Sequence, residues 1–214
     1  MTEPKTVSPP KPSRAEASRQ RRSARAIAAE NQKKKSTVRW AVMAVAALIL
    51  IGAGVLIYNQ VQQQSAAGPP EGTASFTYTG AQHSNDPVQY AENPPVGGVH
   101  NPTWQNCGYY PAPVPSENAV HSLEHGAIWI TYQPDLPQDQ VDSLKNLAES
   151  QSYILVSPME GIPAPVVASA WNQQIQLESA SDPKLDQFIR AFRLGQNNAP
   201  EPGAACAGGS SLTL

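Results

Sequence analysis

Residues 127–156 read AIWITYQPDLPQDQVDSLKNLAESQSYILV, and the fold follows from how that run divides. Ala127 to Tyr132 is β-branched and aromatic, the composition of a central strand, and Pro134 and Pro137 end it. From Gln138 or Asp139 the spacing changes. Val141, Leu144, Leu147 and Ala148 share one face of a helix that reaches about Ser150, with Asp139 the better N-cap. Tyr153 to Val156 resumes strand character, so strand, helix and strand predict a β-α-β unit with a right-handed crossover.

Working outward, Val166 to Trp171 and Ile175 to Glu178 read as two further strands turning near Asn172. Ser181-Asp182-Pro183 opens a second helix, in which Leu185, Phe188, Ile189 and Phe192 make one apolar stripe, and Gly195 stops it. Upstream, Ser75 to Thr79 alternates as a first strand. Between Gly80 and Asn118, Pro87, Pro94, Pro95, Pro102, Pro111, Pro113 and Pro115 forbid most regular structure. The predicted fold class is α+β: one mixed β-sheet, two main helices and a long Pro-rich loop region, over residues 75–206, with a flexible tail at 207–214.

The 214 residues carry 17 acids and 15 Lys/Arg, but unevenly. Residues 1–39 hold 11 Lys/Arg and 3 acids, and residues 59–214 hold 4 and 14. The acidic part excludes a nucleic-acid surface, which needs a basic face. Between the two parts, Trp40 to Tyr58 (WAVMAVAALILIGAGVLIY) is 19 residues without a charge. A helix of that length spans about 28 Å, close to a hydrocarbon core of roughly 30 Å. Lys33, Lys34, Lys35 and Arg39 precede it, which by the positive-inside bias predicts a disordered basic cytoplasmic tail over 1–39. The same reading predicts a single-pass, uncleaved N-terminal transmembrane helix at 40–58, in contact with the lipid bilayer. A polar stalk at 59–74 and an extracytoplasmic domain would follow in the cell envelope. A cleavable signal peptide, with Ser65-Ala66-Ala67 as its cleavage site, fits the 39-residue leader less well.

Cys107 and Cys206 are the two cysteines, and in an oxidising compartment such a pair forms a disulfide. A thiolate metal ligand and a Cys–His nucleophile are the alternatives. The four histidines, His83, His100, His121 and His125, fall within 43 residues. Imidazole is the usual neutral-pH metal ligand and proton carrier. If Ser116 to Gly126 is helical, capped by Ser116 or Asn118, His121 and His125 lie one turn apart and can share an ion. If it is strand, their rings sit about 13 Å apart and cannot. Gly97-Gly98 makes a bend able to bring His100 as third ligand, and His83 or Glu124 completes the shell. Copper and zinc both suit such donors.

Three classes of function therefore stand. One is a copper or zinc binder. Another is a metal-free envelope module, structural or protein-binding, with its histidines bonded to loop carbonyls. The third is an enzyme with His121 or His125 as base beside Glu124 or Glu92 and Ser122 as nucleophile, although no Gly-x-Ser-x-Gly elbow is present.

Asn93-Pro94-Pro95-x-Gly97-Gly98-x-His100-Asn101-Pro102, His121-Ser122-Leu123-Glu124-His125-Gly126 and Thr131-Tyr132-x-Pro134 resemble the domain-of-unknown-function family 3105. Ala170-Trp171 and Ala199-Pro200-Glu201 followed by Cys206 are similar to it as well. The resemblance covers residues 75–206. It implies a membrane-anchored bacterial protein, directs attention to His100, His121, Glu124 and His125, and supplies no mechanism.

Overall fold

The structure is a computed structural model that describes residues 43, 50–55, 68–80, 82–195 and 198–214. The chain divides into two units, Met1–Val61 and Gln62–Leu214. In the first, Met43 and Leu50 to Val55 are helical and exposed. The transmembrane helix predicted at 40–58 is corrected here: among the described residues no helix is long and apolar enough to cross a membrane. The described turns from Leu50 to Val55 rise about 9 Å against roughly 30 Å of hydrocarbon, and the rest of the run apart from Met43 lies outside the described residues. The bilayer as partner, the signal anchor and the single-pass cell-membrane topology fall with it. The basic tail predicted at 1–39 also lies outside the described residues, and the stalk at 59–74 is described only from Gly68.

The second unit carries the predicted α+β architecture. Its sheet has six strands: β1 (Ala74–Ser75), β2 (Gly108–Tyr109), β3 (Ile128–Tyr132), β4 (Ile154–Pro158), β5 (Val166–Ala170) and β6 (Gln173–Leu177), in the order β1-β6-β5-β3-β4-β2. Its helices are α1 (Ser116–Glu124), α2 (Gln138–Ser150) and α3 (Pro183–Phe192). β3 and β4 pair in parallel across the α2 crossover, with Ile130 opposite Val156. β5 and β6 pair antiparallel on the other side of β3, so the sheet is mixed.

All five residues of β3 are buried, as a central strand covered on both faces requires. Alternation sends Ile128, Ile130 and Tyr132 to the face where α2 and α3 pack with Leu144, Phe188 and Ile189. Trp129 turns to the opposite face and meets Leu155, Trp171 and the α1 residues Ala119, Val120 and Leu123. The two main helices thus share one face, while α1 and the Pro-rich region cover the other.

Local departures from the sequence reading have local causes. α3 opens at Ser181-Asp182-Pro183 as predicted, with Asp182 the N-cap accepting from the Lys184 N–H at 2.9 Å. α2 begins at Gln138 after Pro137, with Asp139 inside the first turn and no side-chain cap. The strand predicted over Ser75–Thr79 shortens to Ala74–Ser75, because the Tyr78 N–H leaves the ladder for the Asn172 side chain at 2.7 Å. Asn172, at φ 62°, also donates its N–H to Val96 O at 2.8 Å, and Gln174 Nε2 donates to Pro94 O at 2.9 Å. Those bonds fasten the Pro-rich stretch to the β5–β6 hairpin. The predicted Cys107–Cys206 disulfide is present, which removes the thiolate-ligand and Cys–His alternatives. Residues beyond it bond back to the Pro-rich region, Asn106 N–H to Ser210 O at 2.7 Å and Leu214 N–H to Pro113 O at 2.8 Å.

Candidate metal centre

Ser116 to Glu124 is helix, so the ambiguity over His121 and His125 resolves toward one turn of separation. Neither Ser116 nor Asn118 caps it. Pro115 occupies the N-cap position without a side-chain bond, and the Asn118 amide instead donates to Thr103 O at 2.6 Å. His125 is the C-cap residue, and Gly126 follows at φ +93°, the left-handed position that glycine fills without a Cβ clash. α1 therefore points His121 and Glu124 into the space between itself and the Pro-rich loop, with His125 at its end.

The loop supplies the other two rings. His83 and His100 form a parallel bridge: the Ser84 N–H donates to His100 O at 2.8 Å and the His100 N–H to Gln82 O at 3.0 Å. Gly97 and Gly98 shape that loop by close approach, since a Cβ on Gly97 would stand 2.9 Å from Tyr78 Cβ. Tyr78 is itself held by its hydroxyl, which donates to Glu92 Oε2 at 2.7 Å. The result is a cluster of His83, His100, His121 and Glu124 whose ligand atoms all lie within 4.8 Å of one another. The side chains of His100 and Glu124 are fully buried and that of His83 is 37% exposed.

Proton positions follow from the partners. His100 Nδ1 lies 2.8 Å from Gly98 O, His121 Nδ1 2.6 Å from Asn101 O and His125 Nδ1 2.6 Å from Ala205 O. A carbonyl only accepts, so each Nδ1 carries the proton and a neutral ring leaves Nε2 as a bare lone pair. Those lone pairs converge. His100 Nε2 is 2.9 Å from Glu124 Oε2, His121 Nε2 is 3.0 Å from His125 Nε2, and His83 Nε2 is 3.7 Å from Glu124 Oε2. Acceptors facing acceptors require a shared cation, whether proton or metal. Burial pushes the His121 imidazole down to about 4, and the neighbouring His125, His100 and His83 add to the effect against the Asn101 hydrogen bond. His121 is thus neutral at pH 7, the form that ligates metal.

Not every sequence candidate joins the cluster. His125 sits at its edge through His121. Ser122 is buried, and its hydroxyl donates to Gln105 O at 2.6 Å, away from a nucleophile's role. Glu92 accepts from Tyr78 and lies outside the cluster. Two kinds of neighbour had no part in the ligand set read from the sequence. Trp104 and Trp171 flank the rings, 5.2 Å from His125 and 5.7 Å from His100 between centroids. Glu201 Oε2 lies 3.6 Å from His125 Nε2. Only the Ala199-Pro200-Glu201 stretch offered a signal for the last, and it gave no role.

Residues 82–208 match the model of a family described as protein of unknown function, DUF3105. No match was found among curated proteins or among solved structures. The family match agrees with the resemblance in the motifs, while the membrane anchor that the resemblance implied has no counterpart among the described residues.

Proposed function

The chain belongs to the DUF3105 family, whose function is not established, and from that starting point we propose that residues 75–206 form a metal-binding domain. The ion is a late first-row divalent metal, copper or zinc, held by His83, His100, His121 and Glu124. One observation carries this reading: backbone carbonyls hold the Nδ1 protons, so the Nε2 lone pairs of His100 and His121 are turned inward beside a buried carboxylate. Carbonyl bonds to the far nitrogen are the usual means of orienting a ligating histidine. Three imidazoles and a carboxylate suit zinc and copper alike. Around a tetrahedral ion the ligand atoms stand about 3.3 Å apart. All the ligand atoms here lie within 4.8 Å of one another, so modest side-chain movement brings them to that spacing, and His83 is the exposed member. Four protein ligands favour holding or delivering the ion over catalysis, which needs an open position.

The test is stoichiometry. Chelator-stripped full-length protein should take up one zinc or copper(II) ion per chain. At 100 times its Kd the ion should raise Tm by about 5–10 °C. His100→Ala and His121→Ala should each lose both effects, and failure of the wild type to bind at micromolar metal would overturn the reading.

A second reading, a metal-free structural or protein-interaction module, has its own support. The Nδ1 bonds of His121 and His125 reach the loop at Asn101 and the tail at Ala205 and so fasten both to α1 and its C-cap without an ion, while that of His100 to Gly98 stays within the loop. It expects His121→Ala to lower Tm equally with chelator and with metal.

A further inference from the structure

The four-atom cluster leaves one histidine and one carboxylate unassigned. We propose that His125 and Glu201 form an exchange port, passing the ion between solvent and His121; this rests on the metal-binding reading. His125 Nε2 is 3.0 Å from His121 Nε2, close to the spacing of about 3.3 Å for two nitrogens on one ion. On its other side it faces Glu201 Oε2 at 3.6 Å. The carboxylate, the ring and the cluster thus run inward as one series. The Glu201 side chain is 51% exposed and that of His125 5%, while Glu124 is fully buried.

The pair is built in place. Ala205 O accepts from His125 Nδ1 at 2.6 Å, leaving Nε2 as the lone pair that meets the ion. The Glu201 N–H donates to Glu124 O at 3.0 Å and the Gly203 N–H to His125 O at 3.0 Å. Those bonds satisfy carbonyls at the end of α1 that the helix itself leaves open. The Tyr153 hydroxyl bonds Gly203 O and Ala204 O, and Cys206 is bridged to Cys107, so the chain just after Glu201 is fastened. A half-exposed carboxylate draws a hydrated cation, and stepwise replacement of its water by carboxylate and then imidazole spares the ion a bare passage into a buried site. The rival route is His83, the exposed ligand.

Rates separate the two. Copper(II) uptake by the stripped full-length chain, and its release to a chelator, are followed by quenching of tryptophan emission; Trp104 lies 5.2 Å from His125 and 5.8 Å from His121. In Glu201→Gln, which alters a surface side chain, uptake and release should both slow by about tenfold, at the low end of what a charge lining an access cleft contributes. Kd should stay unchanged. Unaltered rates would overturn the port in favour of passage at His83. A weaker Kd with faster release would overturn it by making Glu201 a ligand. A wild type that does not bind copper would sink the metal reading and the port with it, which is a different result from binding at unaltered rates.

Discussion

His121 carries the sharpest consequence at the scale of one residue. Its folded imidazole titrates at about 4, against 6.5 for a free histidine, chiefly because burial disfavours the charged form. Between those values the unfolded chain binds a proton at this position that the folded chain does not, so stability rises with pH across the window. The contribution is complete above pH 6.5 and lost as pH falls toward 4. Chelator-treated protein should accordingly lose Tm between pH 6.5 and 4, and His121→Asn should show a shallower decline. An unchanged slope in that variant would mean that His121 does not stay neutral. Protons compete with metal for the same lone pairs, so copper or zinc affinity should weaken in the same direction.

Among the elements, α1 decides the site. It is short, and its N-terminus lacks a side-chain cap, so its stability comes from what it buries: Ala119, Val120 and Leu123 against Trp129 and Trp171. Its C-terminal end is fixed by Gly126, where a Cβ would stand 2.6 Å from Leu194 C and 2.8 Å from Gly195 N. Gly126→Ala should therefore cost at least about 1–3 kcal/mol from backbone conformation alone, with the close approach to Leu194 adding to it. Urea unfolding measures that loss, and a variant as stable as wild type would show that the turn after His125 relaxes freely.

For the molecule as a whole, the disulfide joins Cys107, just before the two-residue edge strand β2, to a stretch outside the helices and strands. Its cysteines are separated by 99 positions, and a loop of that length carries about 4.7 kcal/mol in the chain-entropy account. Cys107→Ser/Cys206→Ser should lower stability by up to that amount. It should also loosen the 199–206 stretch whose Ala205 carbonyl orients His125. The expected signature is a lower Tm with a larger share of the loss on the metal-exchange rates than Leu144→Ala gives, because Leu144 packs on the opposite face of the sheet. Equal rate effects from the two variants would argue against this coupling.

What the sequence determined by itself is what short-range periodicity and counting express. β3, α2 and β4 followed from alternation giving way to a helical stripe and returning, α3 from Asp182-Pro183 and its spaced apolar residues, and the disulfide from a lone pair of cysteines. His121 and His125 were legible as neighbours once α1 was helix. The 19-residue apolar run read as a membrane span from its hydropathy, but among the described residues no helix is long and apolar enough to cross a membrane. Only the tertiary structure decided the strand order, which places α1 and the Pro-rich loop together on the face of Trp129. Only there do His83 and His100 reach α1, do three carbonyls choose the tautomers, and does Glu201 come to His125 from 76 positions away. Periodicity is a property of neighbouring residues. The site is made by loop closures across scores of residues, whose outcome depends on which faces of the sheet remain to be covered.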